Sequence, residues 1–199
     1  MSLTCPKTTN SVSINDSMPH YDFSSLVTQY IESYYNIRYK SLVFLCIGTD
    51  RSTGDSLGPL IGHKLKNSLN KYNNIHVFGT LDQPVHAKNL EDTIAHINRT
   101  CDYPFIIAID ACLGSIDRIG VINIGHGPLK PGTGVNKQLP SVGDLHITGI
   151  VNIGGYMQYM VLQSTRLSLV MKMADTISEA ITFSLWNLNK KMFFNSMVN

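Results

Sequence analysis

Two stretches of the sequence, "SLVFLCIG" (about 41–48) and "PFIIAIDA" (104–111), are apolar at nearly every position. A strand with one solvated face alternates apolar and polar residues, so an unbroken run implies burial on both faces. Strands of that kind belong in a mainly parallel sheet covered by helices on each side. Two shorter candidates, "NIHVFGTL" (74–81) and "RIGVINIG" (118–125), extend the set. Between the strands the spacing predicts helices. "YDFSSLVTQYIESYY" places Phe23, Leu26, Val27, Tyr30, Ile31 and Tyr34 on one face, with Asp22 or Ser24 as its cap. "SLGPLIGHKLKNSL" (56–69) and "NLEDTIAHIN" (89–98) continue the alternation. The expected fold is therefore α/β, built from βαβ units.

Gly125 to Gly143 hold too many Gly and Pro residues for a regular element. Beyond them, "HITGIVNIGGYMQYMVLQS" and "TRLSLVMKMADTISEAITFSLWNL" carry apolar residues at three- and four-residue spacing and read as helical. Met157, Met160, Met171, Met173 and Trp186 in these segments are expected to pack in the core. Residues 1–20, rich in Ser, Thr, Asn and Pro, read as a disordered lead-in, and 21–190 as a single domain. The tail "FSLWNLNKKMFFNSM" reads either as a subunit contact or as the ragged end of the last helix, which leaves the oligomeric state open.

Charge and cysteine use narrow the function. The formal net charge is +2 and the basic residues are not clustered, so no nucleic-acid partner is expected. No apolar run approaches the ~18 residues that cross a bilayer, and no signal pattern opens the chain, so neither a membrane partner nor export is expected. Cys5, Cys46, Cys101 and Cys112 lie far apart with no CxxC pair, which suggests neither a zinc site nor a disulfide framework. Cys46 and Cys112 sit in apolar runs and read as small core residues in a reducing cytoplasm.

In a parallel sheet, sites form beyond the C-terminal ends of the strands. The first strand delivers "GTDRSTGDSLGP", the second "GTLDQPVHA", the third "AIDACLGS". The first resembles a phosphate loop only superficially. A P-loop needs Gly-Lys-Ser/Thr at the helix start, and this chain has Gly54-Asp55-Ser56, where the aspartate would repel phosphate. No GxGxxG is present either. Asp55 taken alone reads as a helix N-cap as readily as a catalytic acid. Asp110, at the end of a buried strand, is expected to have a raised pKa. Two such carboxylates sharing a crevice would leave one protonated near neutrality, able to activate water and protonate a leaving group. With an imidazole nearby they could instead hold a divalent or transition metal.

"GTDRSTGDSLGPLIG", "AIDACLGS", "KPGTGVNKQLPSVGD" and "ITGIVNIGGYMQYMVLQSTRLSLVMKMADTI" together resemble the YyaC family of sporulation proteins, over about residues 40 to 183. More distantly the chain is similar to the germination protease of spore-forming bacteria, with its Pro-Asp-Ala-Leu-Gly-Pro turn, Val-Asp-Ala strand end and Pro-Gly-Ser-Gly-Val-Gly-Asn loop. It also resembles the hydrogenase maturation proteases, whose metal-binding histidine lies in Leu-His-Gln-Thr-Gly where this chain has "LHITG". The resemblance implies a three-layer α/β/α sandwich of the phosphorylase/hydrolase type. It implies a cytoplasmic peptidase of the sporulating cell or spore, acting on a protein such as a small spore protein. Asp55 and Asp110 would be its catalytic pair, with no cofactor required. Gly48, Thr49 and Ser52 would shape the site, and His86 would line it. If the hydrogenase-type pattern applies, Asp55, Asp110 and His146 would be metal ligands; otherwise His146 is a solvent-exposed residue at a helix start. His126 and Lys130 either orient substrate or are merely solvated. A non-catalytic binding protein that retained the fold is the remaining alternative.

Overall fold

The computed structural model describes residues 10–131 and 139–198. A six-stranded sheet runs through it in the order β1-β5-β6-β4-β2-β3. The strands are β1 (Ser11–Ser13), β2 (Ser41–Cys46), β3 (Ile75–Phe78), β4 (Pro104–Gly114), β5 (Val121–His126) and β6 (Leu145–Ile153). β3, β2, β4 and β6 are parallel neighbours, whereas β5 is antiparallel to β6 and to β1. The helices are α1 (Pro19–Tyr34), α2 (Leu57–Leu69), α3 (Leu90–Thr100), α4 (Gln158–Gln163) and α5 (Leu167–Val198).

The apolar strands are explained by what covers each face. Leu42, Phe44 and Cys46 of β2, with Phe105, Ile107 and Ile109 of β4, join Phe23 and Val27 of α1, Leu57, Ile61 and Leu65 of α2, and Val170, Met173 and Ile177 of α5 in one core. Val43 and Leu45 of β2, with Ile106 and Ala108 of β4, pack on the opposite face against Leu90 and Ile97 of α3 and against Val142. Successive side chains of a strand point to opposite faces, so both layers draw on the same runs. Three helices share the first face. The second has α3 and the loop segments around Leu129 and Val142. Lys64 of α2 reaches Asp175 of α5 at 2.7 Å, a partly exposed ion pair worth little by itself.

Two parts of the sequence fold differently from expectation. Residues Ser11–Ser13, within the stretch read as a disordered lead-in, form edge strand β1 against β5. The segment from His146 read as helical is instead the central strand β6, and helix returns only at Gln158. Ile147, Thr148, Ile150 and Val151 are β-branched, the residue type that a pleated, covered surface favours. Gly149 explains the rest. A Cβ there would come within 2.5 Å of Leu57 and 2.8 Å of Met173, so the strand passes directly beneath two helices.

One polar side chain fastens the start of the central strands. Asp144 accepts the Ile106 N–H at 2.8 Å through Oδ2 and the Tyr39 hydroxyl at 3.2 Å through Oδ1. Asp144→Ala strands both donors, and unmade hydrogen bonds of this kind cost about 1–3 kcal/mol. We expect a lowered urea midpoint with an unchanged slope; an unchanged midpoint would show that neither bond contributes.

Candidate functional site

The sheet reverses its winding between β2 and β4. β2 is followed by α2 and then β3 on one side, whereas the chain after β4 moves to β5 and β6 on the other. Loops leaving such a switch point diverge and open a crevice at the strand ends. A cavity of about 300 Å³ occupies that place. Asp55, His86 and Asp110 all line it, together with Gly48, Thr49 and Ser52.

Each acid is placed by its own piece of backbone. After Ile47 the chain turns at Gly48, whose φ of 142° lies in a region that side-chain-bearing residues avoid. Gly48 also lies against the carbonyl of Asp55, and the Thr49 N–H donates to that carbonyl at 3.0 Å. Asp55 itself sits in a single 3-10 turn, Gly54–Ser56, ahead of α2. The helix begins at Leu57 with no side-chain cap bond, so Asp55 does not serve as its N-cap. Asp110 extends the row of Ile106 and Ala108 on the α3 face of β4, level with Thr148 of β6. Its Oδ1 accepts the Ala111 N–H at 2.8 Å.

His86 arrives by a long-range pairing. Ile47 bridges to Val85, and the Gly48 N–H donates to the Val85 carbonyl at 2.8 Å, which sets His86 beside the first loop. Asn89 braces the turn, its Oδ1 accepting the His86 N–H at 2.8 Å and its Nδ2 donating to the Pro84 carbonyl at 3.0 Å. The Lys88 N–H donates to His86 Nδ1 at 3.3 Å.

The electrostatics of the two acids differ. Burial pushes Asp110 well above the usual carboxylate range, and the neighbouring charge of Asp55 pushes it further; only the Ala111 N–H opposes. Asp55 is also raised by burial, but the charge of His86 and the Thr49 amide pull it back. Both carboxyls are thus held above the ordinary carboxylate range, Asp110 chiefly by burial and then by the charge of Asp55, and Asp55 by burial that His86 and Thr49 partly offset.

The other expected residues are distributed less simply. His146 does not line the cavity. It is half-buried on β6, opposite Ala108, and its Nδ1 lies 2.9 Å from the Gly127 carbonyl. Among the described residues, no three His, Cys, Asp or Glu side chains gather so as to hold a metal ion. His126 stacks on Tyr34 at 4.1 Å, away from the site, whereas Lys130 lines the cavity. The loop motif "PGTGVNK" lies outside the described residues apart from Pro131. The lining residues that were not anticipated include Thr148, Gln158 and Cys112. Cys112, expected in the core, is a half-buried wall residue whose thiol is raised by burial and by Asp110. A strand position two residues past Asp110 points to the same face, which was the available signal.

Known proteins bear on this arrangement. The family model described as "Protein of unknown function (DUF1256)" matches residues 11–180. The chain is 57% identical over 145 residues to the uncharacterized protein YyaC of Bacillus subtilis, covering 73% of this chain and 70% of that one. Among solved structures it is similar to the [NiFe] hydrogenase maturation protease HycI from Thermococcus kodakarensis, with a TM-score of 0.50 at 16% identity. That likeness covers 78% of this chain and 98% of the other, and it shows a shared α/β fold. No helix among the described residues is long and apolar enough to cross a membrane.

Proposed function

The chain belongs to the DUF1256 family, and we propose that it is a peptidase in which Asp55 and Asp110 act as a one-proton acid pair. A single observation carries this reading. Two carboxylates with raised and unequal proton affinities line one cavity at the switch point of the sheet. Perturbed acids cluster where proton transfer is needed. In the reaction, ionised Asp55 takes a proton from water as the water oxygen bonds to the peptide carbonyl carbon. Asp110 gives its proton to the carbonyl oxygen. Collapse of the tetrahedral species breaks the C–N bond: the departing nitrogen takes the proton held by Asp55, and one hydroxyl of the tetrahedral carbon returns its proton to Asp110 as the carbonyl re-forms. His86, whose charge acts on Asp55 across the same cavity, orients the water or the carbonyl.

The protease-like fold and the likeness of "GDSLGP" and "IDA" to the germination protease support a protein substrate in the sporulating cell or spore, such as a small spore protein. The decisive experiment incubates the protein with spore-core extract and maps new peptide termini. Wild type is expected to create termini that Asp110→Asn does not; identical termini from both would overturn the acid-pair mechanism, and none from either would favour a non-catalytic binding protein.

The donor set does not fit a three-ligand metal site, since His146 faces Gly127 and not the two acids. No metal is needed in the steps above. Accordingly, His146→Ala is expected to stay within about threefold of wild type in cleavage rate, and a chelator is expected to have no effect. A loss of 100-fold or more in either case would restore His146 as a ligand.

A further inference from the structure

The cavity contains two polar atoms that nothing described satisfies. Ser52 Oγ and Gln158 Oε1 are both buried without a hydrogen-bond partner among the described residues. Ser52 is only 6% exposed, and both side chains line the same cavity as the two acids. A buried polar group left unmatched costs about 1–3 kcal/mol, and native structures hold few of them. Two in one cavity mark a place built to be completed by something else.

Gln158 is held there deliberately by its surroundings. It opens α4 just after Met157, which adopts left-handed geometry (φ 57°) unusual for a residue with a long side chain. Behind it, Asn152 Nδ2 donates to the Val161 carbonyl at 3.2 Å and to Thr165 Oγ1 at 3.1 Å, tying α4 to the end of β6. Leu162 of α4 lies against Gly54, in the turn that carries Asp55. The back of α4 is thus fixed to the catalytic turn, and its front is open.

That front is apolar. Tyr156, Met157, Tyr159 and Met160 are 98%, 68%, 63% and 57% exposed, and Tyr159 also lines the cavity. Tyr and Met are the residues enriched at the centres of protein interfaces, and Met adapts its shape to varied partners. A run of them is continuous with a cavity holding one unmatched acceptor, Gln158 Oε1, and one unmatched hydroxyl, Ser52 Oγ. An extended polypeptide supplies the complement of all three: an N–H for the carboxamide oxygen, a carbonyl for the hydroxyl, and a side chain for the surface.

We propose that Ser52, Gln158 and the exposed 156–160 segment form a subsite for an extended polypeptide with an apolar side chain beside the bond to be cut. The subsite deepens the peptidase reading and rests on it only for cleavage of the bound chain. Ser52 Oγ donates to a substrate carbonyl and Gln158 Oε1 accepts a substrate N–H, while the apolar side chain lies on Tyr159 and Met160. His86 takes no part in this contact and stays available to the acid pair.

The test uses blocked hexapeptides, acetylated and amidated, with Leu or Glu at the centre, and a series of Leu peptides in which each backbone N–H in turn is replaced by an ester oxygen. Binding is measured by calorimetry on the full chain carrying Asp110→Asn, so that turnover does not intrude. The Leu peptide is expected to bind at least tenfold more tightly than the Glu peptide. One ester replacement is expected to weaken binding about fivefold, and to do so much less in a chain that also carries Gln158→Ala. Ser52→Ala should weaken the Leu peptide by a similar factor, with unchanged thermal melts showing that both variants fold. No saturable binding, equal binding of Leu and Glu peptides, or an ester effect that Gln158→Ala leaves intact would overturn the subsite. Binding as expected without cleavage by wild type would instead overturn the peptidase reading and leave the subsite standing. Cleavage with an unaltered KM in Gln158→Ala would do the reverse.

Discussion

Replacing Asp110 with asparagine is expected to reduce peptide cleavage by about 10²–10⁴-fold, the usual contribution of a positioned acid–base group, while making the protein more stable at neutral pH. The second half follows from the burial of the residue itself, whatever its role in the proposed reaction. The native pKa of Asp110 is raised, so between the ordinary carboxylate value and that raised value the folded chain binds more protons than the unfolded one. Stability therefore falls as pH rises through this window, and below it the residue carries no penalty. Asparagine keeps a carbonyl oxygen for the Ala111 N–H but cannot ionise. The melting temperature of the variant should match wild type near pH 3.5 and rise above it as pH increases, by about 2–4 °C for each kcal/mol relieved. A variant less stable than wild type at pH 7 would mean that Asp110 is held ionised by a partner and that the proton assignment is reversed. The rate should show the matching profile. Its acid limb reports protonation of Asp55 and its alkaline limb loss of the proton from the pair, and both limbs are displaced upward from ordinary carboxylates.

The acids were legible because their signal is local. An aspartate closing an apolar strand, and another in a Gly-rich turn after one, each stand out from their neighbours in sequence. The strands themselves were legible for a similar reason, since burial on two faces leaves no polar positions in the run. β6 was not. Apolar residues of β6 at 147, 150 and 151 run on to 157, 160 and 161 at spacing that fits a helix, and nothing local marks where the strand ends and α4 begins. Gly149 held the correcting signal, but its meaning depends on Leu57 and Met173, distant in the chain. That error hid Thr148 and Gln158, because neither can be assigned to the crevice until β6 is seen to pair with β4. His146 was misplaced for the same reason. Its likeness to a metal-ligand motif is a matter of sequence, whereas its orientation is set by the register that puts it opposite Ala108 and beside Gly125. His86 was anticipated as a lining residue, yet its proximity to Asp55 rests on the bridge from Ile47 to Val85, which no local pattern announces.

The turn that carries Asp55 depends on one glycine, and Gly48→Ala is expected to cost about 2–6 kcal/mol, the sum of a backbone strained into positive φ and an overpacked contact. The two contributions can be separated. Gly155 has nearly the same φ, 148° against 142°, but nothing lies within 4 Å of where its Cβ would stand. Gly155→Ala therefore reports the strain alone, at about 1–3 kcal/mol. At Gly48 the added Cβ collides with the backbone carbonyl of Asp55, which also accepts the Thr49 N–H and cannot swing aside like a flexible side chain. The colliding atom belongs to the turn that carries Asp55, so relief of the clash must displace that residue. Urea denaturation should place Gly48→Ala well below Gly155→Ala in stability. Cleavage by the Gly48 variant, measured where it remains folded, should fall by more than tenfold. Equal losses of stability for the two variants would mean that the turn yields freely, and cleavage at the wild-type rate would mean that the chemistry does not depend on where the turn holds Asp55.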